Sequence, residues 1–230
     1  MLTHPGWADV PGLRHGFLDR AESAAAGTTR WDRALHAAGI ALPVATVRQV
    51  HGTQVVIAAN DHPAPEADGI VTRARGLAVG VVTADCVPAL LLARRHGVLA
   101  AAHAGWRGAA AGLLESALAH LRDQFAVEPA DVEAVLGPSI GPCCYRVGPE
   151  VHAAFTARTG ATTGAAWTPA GDRLLLDLRL AERLLLEGAG VRSVTLVGPC
   201  TACTSALASY RRDGPGAGRQ LSFIGWTRAY

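Results

Sequence analysis

The chain has 230 residues, with 21 basic and 19 acidic side chains and a formal net charge of +2, and half of it is apolar. Basic residues are scattered rather than clustered, which excludes a nucleic-acid footprint, and the length allows roughly 70% of the unfolded surface to be buried without disulfide staples. Every basic side chain is Arg and none is Lys. That excludes Schiff-base chemistry and a P-loop lysine, and leaves any bound anion to arginine forks or backbone amides.

In chain order, Met1–Val10 offers His, Trp and Asp where a secretory leader would need a basic and then an apolar run. Trp31–Ala38 has helical character and stops at Gly39. Ala45–Val50 and Gln54–Ala58 are β-branched runs around His51-Gly52-Thr53, a strand–turn–strand signal. Leu77–Thr83, Ala89–Ala93 and Val98–Ala102 read as further strands. The apolar stretch Gly76–Ala93 is no membrane span, because a central Asp85 would cost about 3 kcal/mol in lipid. Gly108–Phe125 is predicted as one helix with Leu113, Leu114, Leu118 and Leu121 on one face. Val132–Leu136 and Val194–Val197 are short buried strands, each followed by Gly-Pro, and Leu178–Glu187 is a helix ending at Gly188. The mixture predicts an α/β (or α+β) fold of mixed β-sheets covered by helices, with residues 1–230 as one domain. Five cysteines, an odd number without a leader, suit reduced thiols and a cytoplasmic protein.

One constellation carries chemistry. Cys86 precedes the strand Ala89–Ala93 and His103 follows Val98–Ala102. If the two strands pair with their centre between Arg94 and Arg95, Cys86 and His103 face each other at the open end of a hairpin. A thiolate and an imidazole one cross-strand distance apart are two ligands of a zinc site, and His51 sits at another strand end that a turn could bring alongside. Taken singly, a histidine after a strand is usually a satisfied polar residue, and a lone cysteine there is more often a small core residue than a ligand. Neither C-x-x-C nor H-x-x-x-H stands at these positions.

Three segments, Arg48-Gln49-Val50-His51-Gly52, Thr83-Ala84-Asp85-Cys86-Val87-Pro88 and His103-Ala104-Gly105-Trp106-Arg107-Gly108, resemble in order and spacing the laccase-domain family. This family is also called multicopper polyphenol oxidoreductase, purine nucleoside phosphorylase of the polyphenol-oxidase type, or peptidoglycan editing factor. Gly137-Pro138-Ser139-Ile140-Gly141-Pro142-Cys143-Cys144-Tyr145 and Ser209-Tyr210-Arg211-Arg212-Asp213-Gly214 match two further family blocks, so the resemblance runs from His15 to the C-terminus. It implies that His51, Cys86 and His103 are the metal ligands. Glu182 stands where the family usually has Asn, and Leu207-Ala208 replaces its aromatic pair. These departures bear on substrate preference rather than on the metal.

Two histidines and one cysteine leave a fourth zinc position for a water whose pKa falls towards neutrality. The resemblance implies two activities: phosphorolysis of adenosine, inosine or methylthioadenosine, and hydrolytic deamination of adenosine. Phosphate would be met by Arg48, Arg107 or the amides around Gly105–Gly108, with Arg211 reaching in from the C-terminal loop and Tyr145 stacking on the purine. Asp85 beside Cys86 is the candidate general acid–base, or the group that orients a ligand histidine. Cys143, Cys144, Cys200 and Cys203 could form a second zinc site, but adjacent cysteines chelate poorly together, so buried inert thiols are expected. A multicopper laccase would need many histidines in H-x-H pairs; this chain has nine histidines, none so paired. Cu2+ is expected at most as an occupant of the zinc site in vitro. Purine nucleosides and phosphate are thus the expected partners, with no nucleic acid or membrane. Two other readings stand: a peptidoglycan-precursor editing hydrolase using Cys86 and His103 as nucleophile and base, and a non-catalytic zinc-binding partner protein.

Overall fold

The computed structural model describes residues 1–24, 31–58 and 64–228. Its central sheet has six strands in the spatial order Ser193–Leu196, Glu133–Leu136, Val87–Ala93, Val98–Ala104, Gly69–Thr72 and Val55–Ile57. A four-stranded sheet, in the order Leu13–Phe17, Gln220–Trp226, Leu77–Thr83 and Val44–Ala45, packs against it. A small third sheet joins Trp167–Ala170, Arg173–Leu176 and Arg146–Val147. Parallel and antiparallel pairings mix in the two larger sheets, as the α/β reading expects.

Strand alternation builds the layers. Leu90 and Leu92 pack with Val79, Val81, Ile224 and Trp226 between the two sheets. Ala89, Leu91 and Ala93 turn the other way, onto Leu113, Leu114, Leu118, Leu121, Leu178 and Leu185 of the covering helices. Beyond the four-stranded sheet, Ala78, Leu221 and Phe223 pack on Ala34 and Leu35 of the helix Trp31–Ala37. The run Val87–Ala93 is apolar without alternation because both of its faces are buried. Among the described residues, no helix is long and apolar enough to cross a membrane.

Several sequence expectations need correction. The expected helix Gly108–Phe125 is two helices, Trp106–Ala111 and Leu113–Phe125, broken at Gly112 with φ +97°. Arg158 caps the first by donating to the carbonyls of Ala109 and Ala110. Six residues sum little dipole, which weakens the anion site expected at that helix start. Ala45–Val50 and Gln54–Ala58 form no hairpin: Val44–Ala45 pairs with Leu77–Thr83, whereas Val55–Ile57 pairs with Gly69–Thr72 in the other sheet. Ser193–Leu196 is an edge strand, half exposed rather than buried. The strands Val87–Ala93 and Val98–Ala104 do pair, but Ala93 stands opposite Val98 and Pro88 opposite His103, so the centre lies between Arg95 and His96. A turn Arg94–His96 closed by left-handed Gly97 sets that register.

Candidate metal centre

The chain crosses from the four-stranded to the six-stranded sheet twice near one point, through residues 46–54 and through Ala84-Asp85-Cys86. Both crossings use a non-glycine residue at positive φ, His51 at +61° and Asp85 at +91°. Such backbone costs about 1–3 kcal/mol and persists only where its surroundings hold it. Gln49 supplies part of that hold, its side-chain amide exchanging two hydrogen bonds with the Val82 backbone, at 2.7 and 2.8 Å. The register shift matters here, because Cys86 extends the strand to lie diagonally across from His103 on one face rather than opposite it.

The three side chains converge. Ligand atoms of His51, Cys86 and His103 lie within 4.8 Å of one another, with Cys86 Sγ 4.0 Å from His51 Nε2 and the two imidazole centroids 4.7 Å apart. His103 is buried, Cys86 half-buried and His51 exposed, so the cluster opens to solvent on one side. Gly105 keeps it open: a Cβ there would stand 2.9 Å from Cys86 Sγ and 3.1 Å from His51 Cδ2. Two imidazoles and a thiol in this arrangement could hold a metal ion.

Asp68 organises the set, and sequence reasoning missed it. Its carboxylate, 0% exposed, accepts the Nδ1–H of His103 at 2.7 Å. It also accepts the backbone N–H groups of Val50, His51 and Gly52, at 3.1, 3.0 and 2.7 Å. The bond to Nδ1 leaves Nε2 as the ring's donor to a metal. Burial alone would raise the Asp68 carboxyl, but the His103 hydrogen bond and the backbone amides of Gly52 and Val50 hold it below its ordinary value. Burial would likewise push the Cys86 thiol up, yet the hydrogen bonds and charges of His103 and His51 bring it down to about 6. His103, which burial would lower, is raised to about 9 by Asp68 and Cys86.

The other predicted residues divide. Asp85 is not the group that orients a ligand histidine. Its carboxylate accepts Thr201 Oγ1–H at 2.5 Å and the Arg211 N–H at 2.6 Å, and it holds the C-terminal loops against the Cys86 crossing. Arg211 lies over Tyr145, 5.3 Å from the ring centroid, and Arg107 over Trp106, 4.5 Å from its centroid. Tyr145 sits within the field of this group. Burial and the charges of Cys86 and Asp85 push its phenol up, against Arg211 and Arg107. Arg48 is elsewhere engaged, its guanidinium paired with Glu66 at the exposed surface. Cys143, Cys144, Cys200 and Cys203 are not buried inert thiols: Cys143 and Cys203 are exposed, and all four gather in a second cluster. No spacing signal could have found Asp68, a lone acid in Ala67-Asp68-Gly69 without a motif of its own.

Residues 15–227 match the family described as multi-copper polyphenol oxidoreductase laccase. The chain is 39% identical over 180 residues to the Escherichia coli (strain K12) purine nucleoside phosphorylase YfiH, covering 77% of this chain and 72% of that protein. It is 36% identical over 171 residues to the purine nucleoside phosphorylase YlmD of Geobacillus stearothermophilus, covering 71% and 62%. The crystal structure of YlmD from Geobacillus stearothermophilus superposes with a TM-score of 0.84 at 26% identity, covering 98% of this chain and 94% of that one. A Neisseria meningitidis protein superposes with a TM-score of 0.80 at 31% identity, covering 94% and 95%.

Proposed function

The chain belongs to the multi-copper polyphenol oxidoreductase laccase family, and from that membership we propose that it is a zinc-dependent purine nucleoside phosphorylase. In this reading it cleaves adenosine, inosine or methylthioadenosine with phosphate and also deaminates adenosine, as a cytoplasmic enzyme with reduced thiols. The observation that carries the reading is the convergence of His51, Cys86 and His103, with Asp68 fixing the His103 ring, in a chain whose relatives are named purine nucleoside phosphorylases. Zinc held by these three donors would supply a Lewis acid and, at its fourth position, a water of lowered pKa.

The protein's own groups supply the rest. Arg107 and Arg211 bring the positive charge that a phosphate needs beside the sugar, and each is steadied by an aromatic face. The Tyr145 ring offers a flat surface for the purine. The Asp85 carboxylate is engaged by the Thr201 hydroxyl and the Arg211 amide, so we assign it the positioning of the Cys86 crossing. The test is incubation of zinc-loaded protein with adenosine, with and without phosphate, resolving adenine from inosine. Phosphate-dependent adenine supports the reading, and the absence of both products overturns it.

One observation favours a second reading. Without metal, a Cys86 thiol brought down to about 6 beside a His103 imidazole raised to about 9 is a thiolate–imidazolium pair, in which His103 as base has already taken the proton of the nucleophile, as in a hydrolase such as one editing peptidoglycan precursors. A metal-free protein with full activity selects it.

A further inference from the structure

Four of the five cysteines take no part in the site above. Cys143 and Cys144 come from the loop that leads into Tyr145, and Cys200 and Cys203 from the loop before the helix Tyr210–Asp213. Their sulfurs lie within 4.8 Å of one another, Cys203 Sγ standing 3.6 Å from Cys143 Sγ and 3.4 Å from Cys144 Sγ. We propose that these four thiols bind a second zinc ion, a closed structural site that ties the two loops together.

The spacing suits the ion. A Zn–S bond of about 2.3 Å places tetrahedral sulfurs about 3.8 Å apart, whereas a disulfide would need about 2.05 Å. Four sulfur donors with no oxygen or nitrogen select a soft or borderline metal, and four protein ligands close the shell. The objection to adjacent cysteines is met by the backbone. The Gly141 carbonyl accepts the N–H groups of both Cys144 and Tyr145 at 3.0 Å, so the segment is a single helical turn. On such a turn consecutive side chains diverge by about 100°, not by the half-turn of a strand, and two neighbours can reach one point. Gly141 also donates its N–H to Cys200 Sγ at 3.1 Å, a bond that favours a thiolate. A Cβ at Gly141 would stand 3.2 Å from Cys200 Cβ and 3.5 Å from Cys143 Sγ, so glycine permits the close approach.

Positive charge lies nearby, part of it paired with Asp213. Four thiolates and one zinc ion carry a net charge of −2. Arg211 donates to the carbonyls of Cys144 and Arg146, and Arg212 to those of Thr201, Ala202 and Thr204, so two guanidinium groups sit on the two cysteine loops. The site also reaches the first centre. Cys144 adjoins Tyr145, and Cys200 adjoins Thr201, whose hydroxyl holds Asp85 beside Cys86. The second zinc therefore braces one wall of the first site, whichever reaction that site performs.

The Cys86→Ala variant tests this directly, because every thiol left in it belongs to the cluster. Elemental analysis of protein purified without chelator is expected to give two zinc ions per chain for the wild type, and one each for Cys86→Ala and the double variant Cys200→Ser/Cys203→Ser. In Cys86→Ala the four thiols should resist a thiol reagent until a strong chelator strips the zinc, and then all react. Immediate reaction of all four after incubation with zinc alone would overturn the proposal, as would a mass showing a native disulfide among them. One retained zinc with unprotected thiols would place the ion on His51 and His103 and equally refute it. The Cys86→Ala result decides even if the double variant fails to fold.

Discussion

The Asp68 carboxylate accepts the Nδ1–H of His103 at 2.7 Å while also accepting the backbone N–H of His51 at 3.0 Å. One buried acid thereby fixes two of the three candidate ligands, one by its ring and the other by its backbone. The carboxylate's charge matters as well as its shape, since it stabilises the N–H on Nδ1 and raises the basicity of Nε2. Asp68→Asn keeps the size but removes the charge and presents an NH2 group where at least one backbone N–H now finds an acceptor. Zinc affinity at the first site, measured by chelator competition, is expected to fall roughly 10- to 100-fold. Unchanged affinity would remove Asp68 from the metal centre.

His51→Ala, Cys86→Ala and His103→Ala should each lose one zinc ion per chain by elemental analysis. Their stabilities should differ. His51 is exposed, whereas His103 is 3% exposed and its loss leaves Asp68 buried with one partner fewer. A lost hydrogen bond to a buried charged group costs about 1.5–3 kcal/mol, while three backbone N–H groups still hold Asp68, so His103→Ala should melt below His51→Ala. Full first-site occupancy in any of the three variants would sink the ligand assignment.

The grouping of His51, Cys86 and His103 was legible because motif spacing and strand ends placed them, even though the assumed hairpin register was wrong. Shifting the pairing centre from Arg94/Arg95 to Arg95/His96 turned a facing pair into a diagonal one. The shift follows from Gly97, whose left-handed backbone closes the turn Arg94–His96 and so moves the centre by one residue. Residues 44–58 misled for a different reason. Two β-branched runs around a turn look alike whether they pair with each other or, as here, with strands in two separate sheets. Asp68 and Thr201 stayed hidden because tertiary packing alone brings their partners together, and the four cysteines, though a possible site on sequence alone, read as inert thiols because the turn that lets Cys143 and Cys144 reach one point is not visible in the sequence.

Glu182 has both carboxylate oxygens buried with no hydrogen-bond partner among the described residues. Burial, then the charge of Glu115, push its carboxyl well above the ordinary 4.5, against Arg158. A carboxyl whose folded pKa is raised binds its proton more tightly than the unfolded chain does. Stability is therefore fully present below pH 4.5 and is lost as the pH rises through the folded pKa, by about 1.4 kcal/mol per unit within the window. Glu182→Gln removes the titration. Its melting temperature relative to wild type is expected to be similar near pH 4 and increasingly higher towards pH 7. A difference that does not change with pH would mean that Glu182 finds a partner and is ionised in the fold.

Phosphate recognition separates phosphorolysis from deamination, and the structure divides the arginines that could carry it. Arg107 and Arg211 share the surroundings of Tyr145 and Cys86, whereas Arg48 is paired with Glu66 at the surface. An exposed pair of that kind is worth about 0–1 kcal/mol, so Arg48→Ala should change either activity less than about fivefold. A charge-assisted hydrogen bond to phosphate is worth about 1.5–3 kcal/mol, or roughly 10- to 150-fold. Arg107→Ala is therefore expected to slow phosphate-dependent adenine release from adenosine by at least tenfold. Its inosine formation, which draws on no anion site, should fall much less. Arg211→Ala is a less clean probe, because its side chain also holds the Cys144 and Arg146 carbonyls and its loss should lower both products. Equal loss of adenine and inosine in Arg107→Ala would make that arginine structural. Unchanged phosphorolysis there, with a drop in Arg48→Ala, would move the phosphate to the Glu66 side of the cluster.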